Sequence, residues 1–331
     1  MDIDSNISDE IHVERVHIWN HCHNCKAEPI IGIRYQCEAC PAGPDIDLCE
    51  PCYNLLQQGK IKHPSEDSLS HTEGIKKHWF SQHEGKPVNQ FDDWFTVQST
   101  PTPEPRLSFP FVVRPIFSAG GDSTIAGYGF VVNSIIPGQT KPLFLTALHV
   151  MDELIKLKGI DCTSKNPKYT GKELPGLMTG VDLFDVFAQS WMMAHLGSTG
   201  PMLVLPGARI HEEEPYSDKD IAAFIIKDLG MIKPASLAPE PPSVGDSIWL
   251  VARALDKASP QLFKATVVEI TDRSMVFFYD DLSEKPKYTS GAPIVNHKGE
   301  VAGIIVGSGK LNNQKIGHAN HVGNIRKHLL S

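Results

Sequence analysis

Three side chains scattered through the sequence have the types needed for nucleophilic acyl transfer. Ser290 lies in Tyr288-Thr289-Ser290-Gly291-Ala292-Pro293-Ile294-Val295, a Gly/Pro-bounded turn that runs into an apolar strand. Such a turn can present a hydroxyl at the mouth of a β structure. A serine hydroxyl is a weak nucleophile until a base takes its proton, and that base must be oriented by a third group. His149, in Leu145-Thr146-Ala147-Leu148-His149-Val150, is the candidate base. Asp220, in Asp218-Lys219-Asp220-Ile221-Ala222-Ala223-Phe224, is the candidate orienting group, and Asp218 competes with it from a poorer context. Each is a weak signal alone, because a strand-end His, a strand-end Asp and a Ser-Gly turn are all common structural features. Their joint occurrence raises the odds.

A second group of residues suits metal chemistry. Cys22-x2-Cys25, Cys37-x2-Cys40 and Cys49-x2-Cys52 share one internal spacing. A two-residue gap lets both thiolates of a pair turn back onto one tetrahedral ion. Six thiolates are too many for one four-coordinate zinc and too few for two, so histidines must complete a second site. Eight of the 15 histidines, from His12 to His83, lie in this part of the chain. A disulfide framework is the bland alternative, disfavoured without a secretory leader. The N-terminus, Met1-Asp2-Ile3-Asp4-Ser5-Asn6, is acidic and polar rather than basic-then-apolar. Of the seven cysteines only Cys162 falls after Cys52, so the rest of the chain has no internal pair to oxidise, and Cys162 is expected to be an inert packed thiol. A reducing, cytoplasmic setting is the expectation.

The 331 residues suffice for two or three domains, and 41% hydrophobic with 21% charged residues is ordinary for a globular protein. A net charge of -8 argues against a nucleic-acid partner, which needs a basic footprint. No apolar run approaches the roughly 20 residues that span a bilayer, so no membrane partner is expected.

Pro29-Ile30-Ile31-Gly32-Ile33-Arg34-Tyr35-Gln36-Cys37-Glu38-Ala39-Cys40-Pro41, followed by Asp45-Ile46-Asp47-Leu48-Cys49-Glu50-Pro51-Cys52-Tyr53, resembles a ZZ-type zinc finger over about residues 17 to 80. The resemblance implies two structural Zn2+ ions in a cross-braced arrangement. Cys22, Cys25, Cys49 and Cys52 would hold one, and Cys37, Cys40, His63 and either His71 or His78 the other. It also implies capture of a peptide or protein N-terminus, or a basic tail, with Asp45 and Asp47 as the acidic residues, Asp47 matching the family's pattern better. The plainer reading is a metal-stapled spacer in which Asp47 serves the fold. Ala42-Gly43-Pro44 is expected to lengthen a loop.

Residues 1–85 are assigned to this module and 86–106 to a Pro-rich linker, marked by Ser99-Thr100-Pro101-Thr102-Pro103-Glu104-Pro105. Phe91, Trp94 and Phe95 are too apolar for a free tether and are expected to dock. From residue 107 short β-like runs follow: 108–113, 127–132, 143–147, 221–226, 247–251, 265–270, 275–279, 293–295 and 301–306. Helical patterns are few, near 151–158, 183–194 and 324–330. Many short strands between turn signals predict sandwich or barrel packing.

Residues 107–331 resemble a trypsin-like serine peptidase domain: a Gly-rich strand before Thr146-Ala147-Leu148-His149-Val150, Asp220-Ile221-Ala222, and Ser290-Gly291-Ala292-Pro293 with Gly299-Glu300-Val301-Ala302-Gly303-Ile304 after it. The order His, Asp, Ser is that of chymotrypsin-type enzymes. The resemblance implies a mainly β fold, two six-stranded antiparallel β-barrels, beside the small cross-braced zinc-binding module. It implies a serine endopeptidase in which Ser290 attacks, His149 transfers the proton and Asp220 fixes the imidazole. The main-chain N–H groups of Tyr288 and Ser290 would form the oxyanion hole. Tyr288 departs from the family's glycine, and Thr289 from the aspartate of zymogen-type members. The alternative function is a catalytically inactive peptide-binding scaffold. Glu284 is the candidate base of a specificity pocket, although a solvated loop glutamate is the commoner role, and Val306, Gly307 and Ser308 are placed at the cleft edge. The spacing of 71 positions from His149 to Asp220 is long for the family and suggests an insertion within 160–215.

Overall fold

A computed structural model describes residues 14–37, 46–64, 80–108, 110–151, 154, 174–186, 194–209, 218–253, 260–280 and 289–331. Chain contacts divide it into two compact units, Met1–Thr96 and Val97–Ser331. The division falls inside the stretch expected to be a linker.

The first unit is built from very short strands: β1 (Arg15–His17), β2 (Ile30–Ile31), β3 (Ile33–Cys37), β4 (Asp47–Cys49), β5 (Phe80–Glu84) and β6 (Lys86–Pro87), with one helix, Glu50–Gln57. They form two three-stranded sheets, ordered β2-β1-β6 and β4-β3-β5. Among the described residues one cluster gathers Cys22, Ile30, Leu48, Cys49 and Cys52, packed by Tyr35, Tyr53 and Phe80. The rings of Tyr35 and Tyr53 stack with centroids 3.9 Å apart. Three of these five cluster members are cysteines, and a module of this size draws much of its stability from the metal such thiolates hold. A 3₁₀ segment, Val88–Thr96, follows. Its Phe91 and Trp94 are buried and Phe95 is exposed.

The second unit holds two closed rings of antiparallel strands. The first contains β7 (Val112–Ala119), β9 (Gly129–Val132), β10 (Leu143–Thr146), β11 (Met178–Asp185), β12 (His195–Met202) and β13 (Ala222–Asp228). Its order is β11-β12-β13-β10-β9-β7, closed by pairing of β11 with β7, while β8 (Asp122–Ile125) extends β7 as a hairpin. The second ring runs β14 (Ser247–Arg253), β15 (Pro260–Ile270), β16 (Met275–Tyr279), β19 (Gln314–His321), β18 (Val301–Leu311), β17 (Pro293–Val295). This is the double six-stranded barrel that the resemblance implied. Closure removes exposed strand edges, and the rings fill with aromatic side chains. Phe117, Phe144 and Phe224 meet in the first ring with centroids 5.8 to 6.4 Å apart. A side chain at Gly129 would collide with the Phe144 ring, so glycine there makes the space the ring occupies. A C-terminal helix, Val322–Leu330, completes the unit.

Three features depart from the sequence reading. The apolar stretch beginning at Leu183, expected to be helical, opens as the end of β11. In Val181-Asp182-Leu183-Phe184, burial alternates and β7 pairs alongside, so a period of two wins over a helical period. The region expected to be an insertion therefore contributes β11 and β12, two of the first barrel's staves, together with residues outside the described set. The Pro-rich stretch is not a free tether throughout. The Thr100 N–H donates to the Gly245 carbonyl at 2.8 Å, Ser247 Oγ donates to the Thr100 carbonyl at 3.1 Å, and Pro105 is buried.

Candidate active site and metal centre

Strand register accounts for the meeting of His149 and Asp220. β10 and β13 are antiparallel, with Thr146 opposite Ala222 at their shared end. His149 lies three residues beyond Thr146, in the 3₁₀ turn Leu148–Met151, and Asp220 two residues before Ala222. Two positions 71 apart in sequence thus leave the same end of one strand pair. His149 Nδ1–H donates to Asp220 Oδ2 at 2.6 Å, and the His149 main-chain N–H donates to Asp220 Oδ1 at 3.0 Å. The aspartate side chain is 6% exposed and the histidine 28%. A buried carboxylate that takes both donors of one residue fixes the ring's orientation and its tautomer.

Ser290 occupies the corner of a tight turn that leads into β17. The Ala292 N–H donates to the Thr289 carbonyl at 2.9 Å, and Gly291, third in the turn, has φ of 82°. Only glycine adopts that conformation at little cost. A Cβ on Gly291 would also strike the Tyr128 carbonyl and Thr146 Oγ1. The turn is therefore seated against the first barrel. The Tyr128 N–H donates to the Ser290 carbonyl at 2.8 Å, and Thr146 Oγ1 donates to the Tyr128 carbonyl at 2.6 Å. Gly127 is wedged between the two groups, because a Cβ there would lie 2.6 Å from the Ser290 carbonyl and 2.9 Å from the Val150 methyls. The serine turn thus packs on Thr146, three residues before His149, and Gly127 fills the space between the Ser290 carbonyl and Val150.

Tyr128 and Thr146 join the site without having been singled out from the sequence. Tyr128 touches three neighbours: Ser290 through its N–H, Thr146 through its carbonyl, and the Arg253 N–H through its hydroxyl at 3.4 Å. Burial pushes its phenol upward, which keeps it neutral. The signal available was the Gly127-Tyr128-Gly129 run, whose glycines admit close backbone approach. Asp218 approaches the site through its main-chain carbonyl, which accepts from Asn320 and His328. Tyr288 and Glu284, named for the oxyanion hole and the specificity pocket, lie outside the described residues. Val306 is buried, Gly307 half-buried and Ser308 exposed along β18.

In the first unit, Cys22, Cys25, Cys49 and Cys52 converge with all four sulfurs within 4.8 Å of one another. Cys25 and Cys49 Sγ are 3.7 Å apart. A tetrahedral ion with Zn–S bonds of about 2.3 Å separates its sulfurs by about 3.8 Å, so the donor set fits zinc. Local structure explains the convergence. The Lys26 N–H donates to the Cys22 carbonyl at 2.9 Å, bending the 22–25 segment into a knuckle. Cys49 is the N-cap residue of the helix Glu50–Gln57 and Cys52 lies in its first turn, and burial raises both thiols. Burial alone raises the Cys22 thiol, but amides of Cys49, Cys25 and Asn24 donate to it and bring it down to about 7. Asn24 Nδ2 donates to Cys52 Sγ at 3.3 Å. Amides turned toward sulfur are the outer support that metal thiolates require.

Of the second expected set, Cys37 and His63 are described and buried. Both adjoin Phe80: Cys37 pairs with it across β3 and β5, and the His63 ring lies 5.8 Å from its ring. Cys40, His71, His78 and Asp45 lie outside the described residues. Asp47 is 4% exposed, and its oxygens accept from Arg34 Nη1 at 2.8 Å and Asn20 Nδ2 at 3.0 Å. Its charge is thus engaged inside the module.

Comparison with known proteins divides along the same line as the structure. Residues 17–63 match the family model of the ZZ-type zinc finger. Over 51 residues, 15% of this chain, the sequence is 37% identical to dystrotelin of Danio rerio, and the match spans 7% of that protein. Among solved structures, an active-form protease of M. tuberculosis covers 70% of this chain and 90% of its own, at 16% identity and a TM-score of 0.38. The MamO protease domain of Magnetospirillum magneticum covers 67% and 97%, at 13% identity and a TM-score of 0.38. The serine protease of a human pathogenic astrovirus covers 66% and 94%, at 14% identity and a TM-score of 0.36.

Proposed function

We propose that this chain is a serine endopeptidase that cleaves protein substrates through Ser290, His149 and Asp220. The observation that carries the reading is the double hold of the Asp220 carboxylate on His149, made where the Ser290 turn packs on Thr146. In this reaction His149 Nε2 takes the Ser290 proton as Oγ attacks the scissile carbonyl. The ring then returns the proton to the leaving amine, and Asp220 stabilises the transient imidazolium. Water repeats the sequence on the acyl-enzyme. The N–H groups of Ser290 and Tyr288 are proposed to receive the oxyanion, with Glu284 at the base of the specificity pocket. The setting proposed is the cytoplasm, with neither nucleic acid nor membrane as partner; no helix among the described residues is long and apolar enough to cross a membrane.

The zinc module is proposed to hold two structural ions, one on Cys22, Cys25, Cys49 and Cys52 and one on Cys37, Cys40, His63 and His71 or His78. It is also proposed to recruit or sense a protein partner by its N-terminus. With Asp47 committed to Arg34 and Asn20, Asp45 is the better acidic candidate for that contact.

A fluorophosphonate probe tests the catalytic reading directly. It should label the wild-type chain and fail on Ser290→Ala. Absence of labelling with intact, zinc-loaded protein and a bound module ligand would leave the peptide-binding scaffold instead.

A further inference from the structure

Asp220 ends a short segment, Asp218-Lys219-Asp220, that leads into β13. Downstream it is secured by the pairing of β13 with β10. Upstream the hold comes from the other barrel. The Asp218 carbonyl accepts two hydrogen bonds, from Asn320 Nδ2 at 2.9 Å and from His328 Nε2 at 2.9 Å. Because the acceptor is a carbonyl, the ring of His328 must carry its proton on Nε2. Asn320 lies near the end of β19, opposite Ile304 of β18, and His328 on the C-terminal helix. Both are buried, at 1% and 8% exposure.

The helix that carries His328 is itself bolted down at its other end. His321 caps it, its Nδ1 accepting from the Gly323 N–H at 3.1 Å, while its Nε2–H donates to the Thr271 carbonyl at 3.1 Å. Asn324 Nδ2 donates to the Arg273 carbonyl at 2.9 Å. Two polar groups thus fix the helix to the β15–β16 hairpin of its own barrel, and two more reach from β19 and the helix to the first barrel. A buried amide and a buried imidazole are costly placements that a hydrophobic packing surface would not need. Their shared target is a single carbonyl two residues before the aspartate that holds His149.

We infer that Asn320 and His328 are positioning residues for the His149–Asp220 pair, acting as a strut from the C-terminal barrel to the Asp218 carbonyl. The strut joins the barrel that bears Ser290 to the segment that bears Asp220, so it sets the nucleophile's half of the site against the base's half. The inference rests on the catalytic reading above, but its readout does not need turnover.

The test uses the full-length, zinc-loaded chain. Variants are Asn320→Leu, His328→Phe and the double variant, each removing a donor at similar volume. His328→Gln retains a donor at a position equivalent to Nε2. The first readout is the low-field proton resonance of the short His149 Nδ1–H···Asp220 bond, with Ser290→Ala protein giving the same signal in the absence of activity. The second is the rate of Ser290 labelling by a fluorophosphonate. The expected result is a retained folding transition, loss of the low-field resonance in the double variant, and a labelling rate lower by about 10²-fold, the scale of an ångström-level misplacement. His328→Gln restores both. A persistent resonance in folded donor-less variants, or equal behaviour of His328→Phe and His328→Gln, overturns the inference. If the double variant fails to fold, the Phe and Gln pair decides alone on the same terms. A wild-type chain that shows the resonance but takes no label would refute the peptidase reading, and the resonance would still decide the strut.

Discussion

Replacing Asp220 by asparagine isolates the group proposed to make His149 a base. The two oxygens of Asp220 face two donors of one residue, the ring Nδ1–H at 2.6 Å and the main-chain N–H at 3.0 Å. An amide offers one oxygen and one NH2, so it satisfies only one of them. If its oxygen keeps the main-chain N–H, its NH2 faces Nδ1, the ring proton moves to Nε2, and no lone pair is left to take the Ser290 proton. If it flips, two donors meet in a buried space, at a folding cost of about 1–3 kcal/mol. In the proposed reaction the carboxylate also attracts the imidazolium of the transition state. At 2.6 Å and an effective dielectric of about 20 the attraction is about 6 kcal/mol. The expected loss in kcat for Asp220→Asn is accordingly about 10⁴-fold, or roughly 5.4 kcal/mol of barrier. Stopped-flow or gel-based labelling of Ser290, beside thermal denaturation, reads the rate and the fold separately. A folded Asp220→Asn protein that labels within about tenfold of wild type would refute the assignment, because a lost base cannot be that cheap.

Gly291→Ala combines a left-handed φ of 82° with collisions against the Tyr128 carbonyl and Thr146 Oγ1. The conformation alone costs about 1–2 kcal/mol. Calorimetry should show a melting point lower by several degrees, with labelling of Ser290 reduced beyond what the unfolded fraction explains. In the first unit, Asp47→Asn leaves the buried Arg34 guanidinium without its anion, and loss of one member of a buried pair costs about 3–5 kcal/mol. Zinc release under urea should move to lower denaturant, while wild-type behaviour would mean that Asp47 does not serve the fold. His17 gives a pH test. Burial, then the nearby Arg34 charge, lowers its pKa from 6.5 to about 4. The folded state therefore prefers the neutral ring, so this contribution is complete above pH 6.5 and declines as pH falls toward 4. Solvent screening of the half-buried ring limits the effect to about 1 kcal/mol. The urea midpoint of His17→Gln should fall less between pH 7 and 5 than that of wild type, and parallel curves would exclude the linkage.

Much of the second unit was readable because its strands carry their own period and punctuation. Met275–Tyr279 and Pro293–Val295 coincide with the strands expected from apolar runs between turns. β11 and β12 were not readable. Val181-Asp182-Leu183-Phe184-Asp185-Val186-Phe187 satisfies a period of two and a helical period alike, and only the pairing of β11 with β7 decides between them. β19 was missed because His318, Asn320 and His321 interrupt its apolar pattern. Two of those polar residues are interior contacts, Asn320 to Asp218 and His321 to Thr271.

The sequence by itself determined the chemistry on offer: a serine on a glycine turn, a histidine and an aspartate at strand ends, and cysteine pairs at zinc spacing. These depend on residue type and local spacing, which a linear chain displays. The tertiary structure decided which groups meet. It chose Asp220 over Asp218 as the partner of His149, because the register of β10 and β13 brings Asp220 within reach of the ring. It turned Asp47 inward to Arg34 and assembled Cys22, Cys25, Cys49 and Cys52 from a knuckle and a helix start. It also brought the Ser290 turn onto Tyr128 and the C-terminal helix onto the Asp218 carbonyl. Hydrogen bonds act over about 3 Å in space whatever the sequence separation, so contacts spanning 71 to 162 residues become visible only when the barrels close.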